Sequence, residues 1–422
     1  MTMRTVFFTL ILLTAIAFCC GCTGTQNSSP QQGGGQDIVV GALLPLTGDT
    51  SETGQASNAS LAVAAEDINA YFASIGSDHR VKLVIEDTAT DPAIALEKLK
   101  LLDRQGIRLV IGPESSAEVD AVRTYADGQG IVIISTMSTV PSLALQGDTI
   151  FRFVPPDTLQ ADAMAYFLQD NKISAVVPVW RNDIWGNELR NLTAKAFTTR
   201  GGTVRDGVSY QPDTENYSAT VEALDREVGQ AITVHGKEKT AVYAVTYSEV
   251  VPIMAAAAKT KNLSEVRWYG SDSNVLIGSL LTAGDATRFA AQANFTGPTF
   301  GNTIIGLKET ATYGKIRDRL GRQPNGYSLA SYDALWVATI TSTQATGTMD
   351  KQELKNAVAG IAAVFTGPFT GPLDLDAAGD RSSAHYGFWS VKDDGNTYRW
   401  APVAQYDLWV GVAKPNITKI SS

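Results

Sequence analysis

The sequence has no cysteine after residue 22, because Cys19, Cys20 and Cys22 all lie in an apolar N-terminal segment. Cysteine nucleophiles, disulfides and cysteine-ligated metals are therefore excluded from the rest of the chain. The three histidines are widely spaced and form no His-x-x-x-His pair. The sequence also has no Gly-x-Ser-x-Gly nucleophile motif and no Walker A phosphate loop. These absences argue against an enzyme, and we expect neither a cofactor nor a metal.

Charge and apolar content restrict the class further. A net charge of −9 makes the chain a poor electrostatic partner for nucleic acid or anionic lipid. An apolar fraction of 44% excludes wholesale disorder, and 422 residues are too many for one ordinary core. We therefore expect two packed domains. No apolar run after the N-terminal segment is long enough to span a membrane.

The N-terminus has the features of a targeting signal. Arg4 precedes the almost continuously apolar stretch Val6–Cys20, which has the length of a signal-peptide core and is short for a membrane span. Gly21 and Cys22 at its end are typical of a lipoprotein processing site. We predict a signal peptide over residues 1–22, with Cys22 becoming the lipidated first residue.

Three alternatives remain open at this end of the chain. Cys19 or Cys20 could be the processed residue instead, the protein could simply be secreted, or the apolar segment could stay as an anchor. Residues 23–36 have no charge and no large apolar side chain, so they are predicted to form a flexible tether. Every alternative places the remaining chain outside the cytoplasmic membrane.

Short β-branched segments alternate with segments of helical periodicity through two successive stretches of the chain, divided near residue 156. Such alternation is typical of parallel sheets covered by helices, so we predict two α/β lobes. Thr47–Gly54 is predicted to be a loop and Asn58–Tyr71 the first helix. Asp91 is a predicted N-cap, and a hairpin is predicted around Asp394 and Gly395.

Several segments resemble the leucine/isoleucine/valine-type solute-binding proteins, the extracytoplasmic receptors of ABC importers for branched-chain amino acids and related compounds. The resemblance covers the chain after residue 37 and rests on the order and spacing of six segments. They are 37–69 (DIVVGALLPLTGDTSETGQASNASLAVAAEDIN), 85–93 (IEDTATDPA), 110–117 (VIGPESSA), 130–141 (GIVIISTMSTVP), 268–274 (WYGSDSN) and 371–376 (GPLDLD).

The resemblance implies a type I periplasmic-binding fold, in which two Rossmann-like parallel-sheet lobes are joined by a three-crossing hinge and hold ligand in the cleft. We expect the N-terminal lobe to be formed by two separate parts of the chain. The predicted boundaries are 37–156 and 298–366 for the N-terminal lobe, 157–297 for the C-terminal lobe, and 367–422 for the third crossing and the C-terminal-lobe tail.

Hydroxyl side chains follow two strands at the sheet edge where open α/β folds bind ligands. Ser115 and Ser116 lie between a strand and a helix, where they can cap the helix or bind a carboxylate. The resemblance maps Ser116 and Thr139 onto the family's carboxylate-binding hydroxyls, and Met137 onto a position whose backbone contacts ligand. The alternative for the segment around Thr139 is an ordinary polar loop.

The resemblance also implies an ammonium site and a side-chain pocket. Asp272 matches the acid that binds the ammonium group, although an aspartate there could instead cap the next helix. Trp185 and Tyr247 match positions where aromatics flank the ligand, or they serve only in packing. Thr53 stands where many relatives have an aromatic lid, so stacking from the first lobe is predicted to be absent. Thr53 could still contact the ligand, or it could be a plain loop residue.

These features predict a receptor that binds an amino acid or amino-acid-like ligand and delivers it to an ABC permease, touching the membrane only through its lipid anchor. A sensory module of the same fold, a binding protein for a small amide or aromatic acid, and an enzyme of another class are the alternatives. Nucleic acid is not an expected partner.

Overall fold

The computed structural model describes residues 37–301, 310–344, 349–409 and 415–420. The predicted signal peptide, the tether and the lipidation site at Cys22 lie outside these residues. Within the described ranges, no helix has the length and apolar character needed to cross a membrane.

Strands and helices alternate through most of the chain. The strands are β1 (Asp37–Leu44), β2 (Arg80–Asp87), β3 (Leu109–Ile111), β4 (Val132–Ser135), β5 (Ile150–Arg152), β6 (Ala175–Arg181), β7 (Thr203–Val204), β8 (Val208–Tyr210), β9 (Thr240–Val245), β10 (Arg267–Gly270), β11 (Thr296–Phe300), β12 (Thr366–Gly367), β13 (Gly371–Pro372), β14 (Ser383–Asp393), β15 (Tyr398–Trp409) and β16 (Asn416–Lys419). The helices are α1 (Ser51–Ser74), α2 (Pro92–Arg104), α3 (Ser116–Gln129), α4 (Asp157–Asp170), α5 (Ile184–Thr199), α6 (Ser218–His235), α7 (Val250–Ala257), α8 (Asp285–Gln292), α9 (Ala311–Leu320), α10 (Gly326–Thr343) and α11 (Lys351–Ala362).

The N-terminal lobe is built on a five-stranded parallel sheet in the order β2-β1-β3-β4-β5. Its central strands are buried and apolar, as expected when helices cover both faces of a parallel sheet. Helix α10 returns from far along the chain to pack against α1 and β1. Asp91 caps α2 as predicted, with its carboxylate accepting from the N–H groups of Ala93 and Ile94 at 2.7 and 3.0 Å.

The C-terminal lobe has a larger sheet, in which β6 to β11 are parallel and β14 to β16 are added antiparallel to one edge. The predicted hairpin around Asp394 and Gly395 is confirmed as the β14–β15 turn. The type I periplasmic-binding fold is therefore confirmed, with an antiparallel extension to the second parallel sheet. The boundary predicted after residue 297 lies inside β11, which is a C-terminal-lobe strand throughout.

The third crossing between the lobes is tied to the N-terminal lobe by buried polar contacts. Asp333 of α10 accepts from the N–H and hydroxyl of Thr370 at 2.7 and 2.8 Å. Arg152 at the end of β5 forms a two-pronged ion pair with Asp380, and both side chains are buried. These contacts fix the course of the chain just before it enters β14.

One local prediction is wrong. Thr53 lies in the first turn of α1 and not in a loop, because the helix begins at Ser51 rather than at Asn58. The residues from Ser51 to Ser57 include glycine, serine and threonine, which have weak helix propensity. Packing of α1 against α10 offsets that weakness, and the sequence pattern carries no sign of a contact with so distant a segment.

Candidate ligand-binding cleft

The two lobes face each other through the carboxyl ends of their parallel strands. Glu52 at the start of α1 reaches the C-terminal lobe, where it accepts from the backbone N–H groups of Gly278 and Ser279 at 2.5 and 2.9 Å. Asp49, in the loop before α1, pairs with Arg181 at the end of β6 at 2.7 Å. The structure therefore shows the lobes in direct polar contact at the entrance of the cleft.

The predicted carboxylate site brings two loops of the N-terminal lobe together. Ser116, the first residue of α3, lies 3.0 Å from the Ser138 hydroxyl, and its Oγ accepts from the backbone N–H of Thr139 at 3.3 Å. All three residues are buried. Hydroxyl groups at the N-terminus of a 14-residue helix suit an anionic group. Ser138 was not singled out from the sequence, although it lies within the predicted loop.

Ser115 has a different environment from Ser116. Its hydroxyl accepts from the backbone N–H of Glu118 at 3.3 Å, and the Glu118 carboxylate accepts from the Ser115 N–H at 2.9 Å. This reciprocal pair is a capping box for α3. Helix capping and carboxylate binding, the two roles predicted for Ser115, are both compatible with this geometry. The side chain already serves in capping.

Asp272, the predicted ammonium-binding acid, lies at the end of β10 and is joined to a second buried acid. Its backbone N–H donates to Gln160 Oε1 at 3.0 Å, and Gln160 Nε2 donates to Asp157 Oδ1 at 3.1 Å. The backbone N–H of Asp157 in turn donates to the carbonyl oxygen of Thr139, at 2.9 Å. Asp157 Oδ2 makes no hydrogen bond to any residue that the structure describes. The acid pair thus adjoins the predicted carboxylate site.

Burial makes this acid pair electrostatically unusual. It raises the pKa of Asp272 to about 6, although hydrogen bonds from Tyr327, Ser273 and Gln160 act to lower it. Burial and the neighbouring charge of Asp272 also raise the pKa of Asp157 well above its ordinary value. Two carboxylates that share a buried site repel each other, and each also loses the solvation that water provides. A cationic group between them offsets both the repulsion and the cost of burial.

Three buried tyrosines from both lobes surround the acids. The Tyr327 hydroxyl of α10 donates to Asp272 Oδ2, which links the N-terminal lobe to the C-terminal lobe at the cleft centre. The pKa values of Tyr243 and Tyr386 are raised by burial, and the charges of Asp157 and Asp272 raise them further. The tyrosines therefore stay neutral and act as hydrogen-bonding groups at physiological pH.

Trp185 and Tyr247 stack on each other, with ring centroids 4.7 Å apart and planes inclined by 15°. The Arg181 guanidinium lies 5.0 Å from the centroid of the Tyr247 ring. Burial acts to lower the pKa of Arg181, but Glu249, Asp183 and Asp49 raise it, so this arginine stays charged. The predicted aromatics form one stacked wall beside the cleft rather than two separate faces. Met137 belongs to the same buried cluster as both rings.

Thr53 accepts a hydrogen bond from Asn325 Nδ2 at 3.1 Å and lines a cavity of about 210 Å³ between the lobes. Its lining residues are polar with one exception, an isoleucine, although carbon atoms form most of the exposed wall. The lining residues are Asp49, Thr50, Ser51, Glu52, Thr53, Ser248, Ser273, Ile277 and Ser279. Since Ser273 follows Asp272 directly, the cavity adjoins the acid pair.

Five residues of the cleft were not predicted from the sequence: Asp157, Gln160, Tyr327, Arg181 and Glu52. Asp157 directly follows Pro155 and Pro156, so its position in the sequence indicated only the start of a helix. Its meeting with Asp272 depends on the packing of α4 beside β10 and could not be inferred from the sequence. In the part of the chain that the structure describes, no group of three histidines, cysteines or acids is arranged to hold a metal ion.

Two α/β lobes that enclose a polar cleft define a two-lobed ligand-binding protein of the type I periplasmic-binding fold. Residues 56–394 match the family described as receptor family ligand binding region. The chain belongs to this family, and the recognition made from the sequence motifs is confirmed. The relatives and structural neighbours that carry a functional name are substrate-binding proteins and not enzymes.

Two relatives illustrate the likeness in sequence. An uncharacterized protein of Methanocaldococcus jannaschii is 28% identical over 93% of this chain and 96% of its own. The Leu/Ile/Val-binding protein BraC3 of Rhizobium johnstonii is 24% identical over 60% of this chain and 69% of its own.

Two solved structures illustrate the likeness in fold. Leucine binding protein LivK of Thermotoga maritima superposes with a TM-score of 0.69 at 19% identity, covering 86% of this chain and 97% of its own. A Rhodopseudomonas palustris solute binding protein in complex with 4-hydroxybenzoate superposes with a TM-score of 0.72 at 15% identity. The superposition covers 88% of this chain and 97% of that protein.

Proposed function

We propose that this protein is an extracytoplasmic receptor that captures an amino acid or amino-acid-like ligand between its lobes and delivers it to an ABC permease. The observation that carries the proposal is the buried pair Asp157 and Asp272 beside the hydroxyls of Ser116 and Thr139. An α-amino acid presents an ammonium and a carboxylate a short distance apart, and these two groups complement the two halves of the site.

The ligand reaches groups on both lobes at once, because Asp157 and Asp272 belong to the C-terminal lobe and Ser116 and Thr139 to the N-terminal lobe. Binding therefore favours the closed arrangement over an open one. The closed form is the state that we propose docks on the permease. Cys22 supplies the lipid anchor, and no other part of the chain is proposed to touch the membrane.

The relatives support a ligand of this class. BraC3 is a Leu/Ile/Val-binding protein, and LivK is a leucine binding protein. A second candidate ligand is an aromatic acid, since the Rhodopseudomonas palustris neighbour holds 4-hydroxybenzoate and Trp185 stacks on Tyr247 beside this cleft. An aromatic acid lacks a cation for the acid pair, so the amino acid is the better match.

A thermal-shift screen of the purified protein against the twenty amino acids, small amides and aromatic acids tests the proposal. The protein is first unfolded and refolded to remove any copurified ligand. A ligand at about 100 times its dissociation constant raises the free energy of unfolding by about 2.7 kcal/mol. We expect shifts with amino acids, and we expect Asp272→Asn to reduce these shifts. Shifts with aromatic acids alone would replace the amino-acid proposal by the second candidate.

Delivery is tested separately from binding. Uptake of a labelled hit by cells that lack the protein is compared with uptake by cells in which it is restored. We expect uptake to need the protein and to be lost with Cys22→Ala, because an unanchored receptor diffuses away. Normal binding together with unchanged uptake would favour a sensory role.

A further inference from the structure

A third acid lies in the loop that carries the carboxylate-binding serines. Glu114 follows Pro113 at the carboxyl end of β3 and directly precedes Ser115 and Ser116. Its side chain is fully buried, and neither carboxylate oxygen has a hydrogen-bond partner among the described residues. A buried carboxyl group without partners costs free energy, so the position calls for an explanation.

Glu114 is one member of a larger polar group beneath the cleft. Glu118 of α3 is also buried, and its Oε1 has no hydrogen-bond partner in the described ranges. The hydroxyls of Ser57 on α1 and Thr88 after β2 are buried beside Glu114 and Glu118 and act on these carboxyls as hydrogen-bonding neighbours, without the alignment of an ordinary hydrogen bond. Each of these four side chains, which come from separate elements, thus has at least one buried polar atom without an aligned hydrogen bond to a described residue.

The charges around Glu114 and Glu118 are of one sign. Burial raises the pKa of Glu114 to about 8, the Ser57 hydroxyl acts to lower it, and the charge of Glu118 raises it. Burial also raises the pKa of Glu118, which Ser115 and Thr88 act to lower and Asp91 acts to raise. No basic side chain is among these groups. A cation brought to this position would pair with carboxyls that nothing else neutralises.

The group adjoins the amino-acid site. Glu114 is next but one to Ser116 in the chain, and Ser57 lies one helical turn below Thr53, a lining residue of the inter-lobe cavity. The charge of Glu118 also acts on Tyr247 across the lobe boundary. Glu114 and Glu118 are therefore close neighbours of the proposed amino-acid site.

We propose that Glu114 and Glu118 form a subsite for a cationic group at the end of the ligand side chain, so that the preferred ligand is a diamino or guanidino amino acid. This inference rests on the proposed function, since it needs an amino acid in the cleft. The cation forms a charge-assisted hydrogen bond with Glu114, whose proton leaves to solvent when the pair forms.

Calorimetric titration with L-lysine, L-ornithine and L-arginine, compared with L-norleucine, tests the subsite. Norleucine has the carbon chain of lysine without its terminal ammonium, so the pair isolates that one group. We expect at least one basic amino acid to bind tenfold or more tightly than norleucine at pH 8. Binding should release protons, which appears as a dependence of the heat on the ionisation enthalpy of the buffer.

Glu114→Gln provides the matched variant, because glutamine keeps the shape of a protonated glutamate. We expect the variant to keep its affinity for norleucine and to bind lysine no more than about threefold more tightly than norleucine. The exposed Glu66→Gln on α1 serves as control and should retain the wild-type preference. Comparing the two ligands at each pH cancels any contribution of Asp157 and Asp272, which both ligands share.

Two results would overturn the inference and leave the amino-acid receptor intact. One is norleucine or leucine binding the wild-type protein as tightly as every basic amino acid, a result that needs no variant. The other is an unchanged preference for lysine in a folded Glu114→Gln variant. Failure of all amino acids to bind the wild-type protein would instead reject the proposed function, and this inference with it.

Discussion

Asp157 and Asp272 are held together by one side chain, the amide of Gln160, which donates to the carboxylate of the first and accepts from the backbone of the second. Gln160 and Asp272 are 112 residues apart in sequence. The amide fixes the spacing of two buried acids that repel each other, and this arrangement supports the proposal that they bind the ammonium group of the ligand.

The acid pair should control recognition of the ammonium group. We expect Asp157→Asn and Asp272→Asn each to weaken amino-acid binding by about 1.5–3 kcal/mol, the value of a hydrogen bond to a charged group. Calorimetry measures the loss. Asp162 lies on α4 with Asp157, but its side chain is partly exposed. The Asp162→Asn variant should therefore bind amino acids as the wild type does. The 2-hydroxy analogue of the ligand should bind weakly and be insensitive to either variant; equal losses for both compounds would contradict the assignment.

The hydroxyl cluster should control recognition of the carboxylate. Ser116→Ala and Thr139→Ala are expected to cost about 1–3 kcal/mol of binding free energy each, because each loses a hydrogen bond to a charged group. Ser115→Ala is expected to act differently. It removes the cap of α3 and should lower the free energy of unfolding by about 0.5–2 kcal/mol, with a smaller effect on affinity. A ligand carboxamide that still lost affinity on Ser116→Ala would argue against the carboxylate assignment.

The contact of Glu52 with Gly278 and Ser279 should stabilise the closed arrangement. Glu52→Gln replaces a charge-assisted contact by a neutral one, so we expect about five- to tenfold weaker binding through faster dissociation. Small-angle scattering of the unliganded variant should show a larger radius of gyration. Glu66→Gln removes a carboxylate from the same helix that pairs with Arg319 inside the N-terminal lobe, and it should change neither quantity.

Glu114 should make stability fall with rising pH. The pKa of this carboxyl is raised from 4.5 to about 8 in the folded protein, so the unfolded chain loses the proton first. Its contribution is complete below pH 4.5 and is lost as the pH rises to 8. At about 1.4 kcal/mol per pKa unit the upper limit is about 5 kcal/mol. Urea unfolding at pH 5, 6.5 and 8 should show Glu114→Gln declining less than the wild type. Parallel declines would show that Glu114 does not titrate in this range.

The ion pair of Arg152 and Asp380 should matter for stability and not for ligand recognition. Asp380→Asn leaves a buried arginine without its counter-charge, so we expect a loss of about 3–5 kcal/mol in the free energy of unfolding. Denaturant titration measures it. Asp285→Asn, which breaks the exposed pair with Arg288, should cost less than about 1 kcal/mol. If Asp380→Asn lowered the free energy of unfolding by as little, water or a local movement would have to compensate the buried charge of Arg152.

Much of the fold could be predicted because its signals are local. Asp91 before Pro92 marked the start of α2, and Asp394 with Gly395 marked the β14–β15 hairpin, since caps and tight turns need particular residues. The weak helix propensity of the residues around Thr53 is also a local signal, and it led to the wrong prediction of a loop at this position. The helix there is stabilised by α10, which the pattern around Thr53 does not record.

Some residues of the candidate site could likewise be predicted from the sequence, and others could not. Ser116, Thr139 and Asp272 were predicted because each follows a buried strand and matches a ligand-binding position of the family that the sequence resembles. The strand ends of a parallel sheet meet at one edge, where such sites form. Asp157, Gln160 and Glu114 were not predicted. Asp157 and Glu114 each follow a proline and Gln160 lies within a helix, and none of these positions has a pattern that indicates a binding site.

The sequence by itself determined the order of strands and helices, the absence of cysteine chemistry and the family to which the chain belongs. Those properties follow from composition, periodicity and motifs, all of which act over short stretches of chain. Only the tertiary structure decided that Asp157 meets Asp272, that Glu52 spans the lobes and that Glu114 is buried beside a second acid, Glu118. Burial and charge proximity depend on distance in space, and residues far apart in sequence are brought within that distance only when the lobes pack.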